Sequence, residues 1–181
     1  MALLTRERTA LIVVDVQQGF RPYASFEAVA RACATLLEAA RILGLRTLVS
    51  EQYPKGLGHS APELGLKDEQ LIEKTVFSAA RADGFDLAGA GTDPGGVGQA
   101  IVCGIETHVC VSQTVHDLLA DGIEVHVPAD AVGSRHQIDY ECGLERMVGA
   151  GAVLSTVETA LYELLERAGT PEFKAIQALI I

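Results

Sequence analysis

The sequence predicts a single doubly wound α/β domain over residues 1–181, a six-stranded parallel sheet with helices on both faces, and three observations carry that expectation. Short unbroken apolar runs alternate with segments of helical spacing, which is the rhythm of βα repeats. The length of 181 residues suits one compact core, with no repeat or composition break to divide it. Three reactive side chains, Asp15, Lys74 and Cys110, each fall within or just beyond a predicted strand.

Residues 10–14 (ALIVV) lack polar alternation and so read as a strand buried on both faces. Residues 26–43 place Ala, Leu, Glu and Arg at helical spacing, and Gly44 supplies a stop. A second strand covers 47–49. Residues 53–65 hold two prolines and three glycines and read as a surface loop. A third strand around 71–77 carries Lys74. The stretch 84–98 is dense in Gly and Pro, so at most a short helix near 85–90 is expected before a loop. A fourth strand at 99–104 runs into a helix at 107–120, and a fifth strand follows at 123–127. Loop 128–135, a helix at 137–150, a strand at 152–154 and a helix at 156–167 complete the repeat. The apolar tail PEFKAIQALII packs either on its own domain or on another subunit.

The formal net charge is -10, from 24 acidic and 14 basic residues with no basic stripe. That balance repels a phosphate backbone or an anionic bilayer, so neither nucleic acid nor membrane is expected as a partner. Cys33, Cys103, Cys110 and Cys142 form no CxxC motif or disulfide frame. No signal-peptide layout or spanning apolar run is present, so the expected compartment is the cytoplasm, with reduced thiols. GAGTDPGG follows no strand and is not read as a nucleotide loop, and no P-loop motif occurs.

In open parallel sheets ligands bind beyond the carboxyl ends of the strands. Cys110 falls in the first turn of the helix after strand four, with Thr107 as the expected N-cap. Helix dipole and unpaired N–H groups there favour a thiolate and suit an oxyanion. The plain alternative is a core cysteine. Asp15 ends an apolar strand and reads as a general base or as a turn cap. Lys74 interrupts an apolar strand. It reads either as the cation paired with Asp15, favouring the ionised thiol, or as an edge lysine facing water.

These segments carry a resemblance. ALIVVDVQQGF, EKTVFSAA and VCGIETHVCV, in that order, resemble the isochorismatase-like cysteine hydrolase superfamily. SEQYPKGLG and FKAIQALII resemble its isochorismatase domain-containing subgroup. The resemblance implies a Rossmann-like strand order and a catalytic triad of Asp15, Lys74 and Cys110. It also implies a cis peptide between Ile105 and Glu106, aiming backbone N–H groups near Val109 and Cys110 at an oxyanion. The implied activity is cysteine-dependent hydrolysis of a small amide-type C–N bond through a thioester. A vinyl-ether hydrolase and a non-catalytic, thiol-sensing binding protein are the alternatives. A homo-oligomer acting on a small molecule without a cofactor is expected. The metal-binding Asp-x-His of the nicotinamidase branch is replaced by Glu51-Gln52-Tyr53, so no metal site is expected, and a lone loop His59 reads as solvated.

Gln17, Phe20, Gln52, Glu106 and His108 are candidate substrate contacts, each with packing, capping or exposure as the alternative. Arg135 and His136, after strand five, read as a carboxylate-binding pair or a solvated loop. Cys33, Cys103 and Cys142 read as core.

Overall fold

A computed structural model describes residues 2–87 and 96–181. The elements are β1 (Thr9–Val14), α1 (Phe26–Leu43), β2 (Arg46–Gln52), the single turn α2 (Pro54–Leu57) and β3 (Gln70–Lys74). Then come β4 (Gln99–Ile105), one wide π turn (Thr107–Val111), α3 (Ser112–Ala120), β5 (Glu124–Pro128) and β6 (Val132–Gly133). α4 (Gln137–Gly149), β7 (Val153–Ser155), α5 (Val157–Leu165) and α6 (Pro171–Ile180) complete the described fold.

All pairings between these strands are parallel, in the order β3-β2-β1-β4-β5-β7, with β6 also on β4. The chain therefore starts at the sheet centre, winds outward to β3, and returns to the other side of β1. That reversal sits between β1 and β4, and crevices open at such points because the connections diverge to opposite sides.

Burial follows the strand alternation. Leu11 and Val13 join Ile101, Ile105 and the apolar face of α1, with α5 and α6, in one core. Ala10, Ile12 and Val14 join Val102, Val125 and Val127 beneath α3 and α4 in the other. β1 is buried throughout, as its unbroken apolar run requires. α1 stops at Gly44, whose φ of 69° is the left-handed conformation a helix C-terminus favours.

At Gly104 the backbone of β4 lies close against that of β1 at Val14. A Cβ there would lie 1.9 Å from Val14 O, and its φ is 130°, so only glycine fits. This approach brings the ends of β1 and β4 side by side.

Several expectations change. Among the described residues the six expected strands are joined by a seventh, β6, two residues inside the expected 128–135 loop, which takes up the end of β4 that β5 leaves free. Strand three ends at Lys74 instead of near 77, since residues 75–77 curl around the lysine ammonium. The loop at 53–65 contains α2 and a 3-10 turn, Pro62–Leu64, both opened by prolines preset for a first turn. The helix expected from 107 starts as a π turn with Glu106 as its cap residue, so Thr107 is not the cap and its buried hydroxyl has no partner among the described residues. Of the short helix expected at 85–90, residues 85–87 are not helical and the remainder lies outside the described residues, as does most of GAGTDPGG. The tail forms α6, capped by Thr170 and packed on α1 and α5 through Ile176 and the Phe173–Tyr162 edge contact. No described helix is long and apolar enough to cross a membrane.

Candidate active site

Asp15 is the first residue beyond β1, fully buried, with a left-handed φ of 53°. Asp tolerates that conformation better than most residues. Its N–H donates to Ser50 O, continuing the β1–β2 ladder one step. Its carboxylate accepts from Ser50 Oγ at 2.7 Å on one oxygen and from Lys74 Nζ at 2.7 Å on the other. Lys74 reaches this point from the end of β3, across β2. Its Nζ also donates to Gln52 Oε1 at 2.6 Å and to Phe77 O at 2.8 Å. Both charged side chains are fully out of solvent, so each depends on the other and on these dipoles for lost hydration.

Cys110 stands beside the pair from the turn after β4 and is 4% exposed. Burial pushes its thiol pKa up to about 12, and the charge of Asp15 adds to that while Lys74 opposes it. The expected thiolate is therefore corrected to a protonated thiol at neutral pH. Desolvation outweighs the helix terminus, and the Asp15 and Lys74 charges act in opposite directions at the sulfur.

The implied cis peptide between Ile105 and Glu106 is also corrected, because no peptide bond among the described residues is cis. The sharp exit from β4 is made by Glu106 in a left-handed conformation, φ 64° and ψ 61°. Its carbonyl accepts from Val109 N at 2.9 Å and Val111 N at 3.2 Å, so the Val109 N–H is already engaged within the turn.

The expected substrate contacts divide into two groups. Gln17 is fully buried, and its amide is spent on backbone: Nε2 donates to Gln52 O and Gly58 O, and Oε1 accepts from Gln52 N. Phe20 is buried in the α1 core, against Tyr23. Gln52 bonds Lys74 and Thr75 O. In the second group, His108 Nδ1 lies 3.1 Å from Ser134 Oγ, and its Nε2 lies 3.8 Å from carboxylates of both Glu106 and Asp139. Arg135 is exposed and donates to the Tyr23 hydroxyl, while His136 is exposed at the start of α4. Cys33 and Cys103 are core as expected, but Cys142 is exposed on the outer side of α4 and that reading is corrected.

Ser50 was missed. The signal available was a hydroxyl inside an apolar strand, paired in register with Val14 immediately before Asp15. Glu51 was missed as a loop anchor. Its buried carboxylate accepts from Ser60 N at 2.6 Å and meets His59 Nδ1 at 3.0 Å. Burial alone would raise the Glu51 pKa, but the Ser60 and His59 donors bring it below the usual carboxylate value. With that carboxylate occupied and Tyr53 turned to solvent, the Glu51-Gln52-Tyr53 segment does not fit a zinc site. A groove of about 370 Å³, lined in part by Tyr53, Lys55, Val76 and Asp83, adjoins Lys74 on its solvent side; Asp15 and Cys110 do not line it.

The parallel α/β sheet, flanked by helices on both faces and reversing between β1 and β4, defines a doubly wound α/β protein. Residues 9–159 match the isochorismatase domain, and the chain belongs to the isochorismatase family. It is 39% identical over 175 residues to mouse isochorismatase domain-containing protein 2A, covering 96% of this chain and 83% of the relative. A solved structure described as the MAR1 ribonuclease of Caenorhabditis elegans superposes with a TM-score of 0.87 at 37% identity, covering 99% of this chain and 92% of that one. The YcaC gene product of Escherichia coli, described as an octameric hydrolase of unknown specificity, shares the fold at 21% identity and TM-score 0.81, covering 100% and 92%.

Proposed function

We propose that this protein is a cysteine-dependent hydrolase of a small amide-type substrate, with Cys110 as nucleophile and Asp15 and Lys74 as its partners. The observation that carries the reading is the 2.7 Å Lys74–Asp15 pair held beside the Cys110 thiol at the switch point.

A thiol that rests protonated must lose its proton as it attacks. Asp15 takes the proton from Sγ while the S–C bond forms at the substrate carbonyl. With the Val109 and Val111 N–H groups engaged by Glu106 O, the Cys110 N–H is the donor assigned to the oxyanion. The proton passes from Asp15 to the leaving nitrogen as the C–N bond breaks, leaving a thioester. Water then attacks the thioester with Asp15 as base, and the proton returns to Sγ as the acid product leaves. The charge of Lys74 stabilises the carboxylate between these steps.

The ribonuclease description of the nematode relative is not carried over. A net charge of -10 opposes a polyphosphate substrate. A vinyl-ether hydrolase is the second reading, favoured by the protonated thiol, because that reaction needs an acid and no thiolate. We also expect a homo-oligomer, the state described for the bacterial neighbour, acting in the cytoplasm without a cofactor.

A panel of small amides, assayed for amine release with wild type and Cys110→Ala, tests the proposal. Turnover by wild type that Cys110→Ala abolishes is expected. Normal turnover in Cys110→Ala overturns it. Isochorismate cleavage that survives Cys110→Ala and fails in Asp15→Ala selects the second reading.

A further inference from the structure

An ammonium group has three protons to donate. In Lys74 all three have close acceptors: Asp15 Oδ2 at 2.7 Å, Gln52 Oε1 at 2.6 Å and Phe77 O at 2.8 Å, with Val76 O further off at 3.4 Å. Gln52 is itself gripped on every side. Its backbone N–H donates to Gln17 Oε1 at 2.7 Å, and its backbone carbonyl accepts from Gln17 Nε2 at 3.0 Å. Its side-chain Nε2 donates to Thr75 O at 3.0 Å. The amide orientation is dictated by these partners, since a flipped Gln52 would set its NH2 against the ammonium and its oxygen against a carbonyl.

We propose that Gln52 is a positioning residue: locked by Gln17, it takes the Lys74 proton that Asp15 and the Phe77 carbonyl leave, and so holds the cation at Asp15. This deepens the hydrolase reading above and rests on it only where Cys110 reactivity is the readout. Without the Gln52 oxygen, one ammonium proton is left in a buried site with no acceptor nearer than the long contact to Val76 O at 3.4 Å. The side chain then shifts to find water, and its charge leaves the thiol and carboxylate it serves.

The test uses 15N-labelled full-length protein and the Lys74 ammonium resonance, assigned through the Lys74 side-chain carbons. In wild type the resonance is expected to be sharp and slow to exchange, unlike those of surface lysines. Gln52→Met, of similar length but without an acceptor, loses it. Gln52→Glu keeps an acceptor oxygen while losing the donor to Thr75, and retains the resonance. A positioning role also predicts that Gln52→Met slows iodoacetamide labelling of Cys110 at pH 9 about tenfold, one unit of thiol pKa. A purely structural role would open the site and speed that labelling.

The proposal is overturned if wild-type Lys74 exchanges as fast as surface lysines, if Gln52→Met keeps the resonance, or if Gln52→Glu loses it as Gln52→Met does. Faster labelling in Gln52→Met overturns it as well. Should Gln52→Met fail to fold, the wild-type and Gln52→Glu spectra still decide. Failure of the hydrolase reading appears separately, as absent turnover with the Lys74 resonance behaving as stated.

Discussion

Replacing Lys74 by Met keeps most of the aliphatic bulk and deletes one charge of a buried pair. The two charges lie 2.7 Å apart with both side chains fully buried. At an effective dielectric of 20 that separation corresponds to a gross attraction of about 6 kcal/mol, most of it offset by the desolvation of both groups. Lys74→Met leaves the Asp15 carboxylate buried with the Ser50 hydroxyl still bound, and strips Gln52 Oε1 and Phe77 O of their donor. Breaking one side of such a pair costs about 3–5 kcal/mol. Asp15→Asn is expected to cost a similar amount, for the mirror-image reason. The double variant Asp15→Asn/Lys74→Met removes both charges together, so it should cost less than the two single losses added, by about 2 kcal/mol or more. Urea unfolding at pH 7 measures all four proteins, with the slope m held common to show that the unfolded states are alike. Losses that add to within about 0.5 kcal/mol would refute the claim that the two groups act as one unit.

Three further outcomes are expected. Gly104→Ala should destabilise by about 3 kcal/mol in the same assay, because the new Cβ meets Val14 O where β1 and β4 converge; a loss under about 1 kcal/mol would show that the strands can part there. His126, buried on β5 with neither ring nitrogen hydrogen-bonded among the described residues, has its pKa lowered by burial, against the opposing pull of Glu163 and Glu124. The unfolded chain therefore binds its proton more readily than the folded one, so stability is full above about pH 6.5 and falls as pH drops below it. His126→Phe should flatten that acid limb, and an unchanged limb would contradict the assignment. With iodoacetamide at pH 7, exposed Cys142 should label first and buried Cys33 and Cys103 last, with Cys110 slow, and peptide mass spectrometry reads the order.

The sheet and its two helical faces were legible because burial on both sides writes itself into β1 as an unbroken apolar run, and Gly44 marks the end of α1. The convergence of Asp15, Lys74 and Cys110 was legible because a parallel sheet delivers whatever follows its strands to one edge. What held those residues was not. Ser50, Gln17 and Gln52 act through hydrogen bonds between positions 22 to 35 apart, and such contacts leave no periodic trace in sequence. The protonation of Cys110 was misread because the sequence displays the helix terminus and the lysine but not the depth of burial, and burial dominates. The β6 strand, two residues long, is too short for any periodicity to reveal.

The central claim is that Cys110 forms a covalent bond to its substrate. The direct measurement is acid-quenched peptide mass spectrometry during turnover of an active amide. An acyl adduct on the Cys110 peptide is expected in wild type, present within the first turnover and absent in Cys110→Ser. Turnover by Cys110→Ala at the wild-type rate would contradict the account.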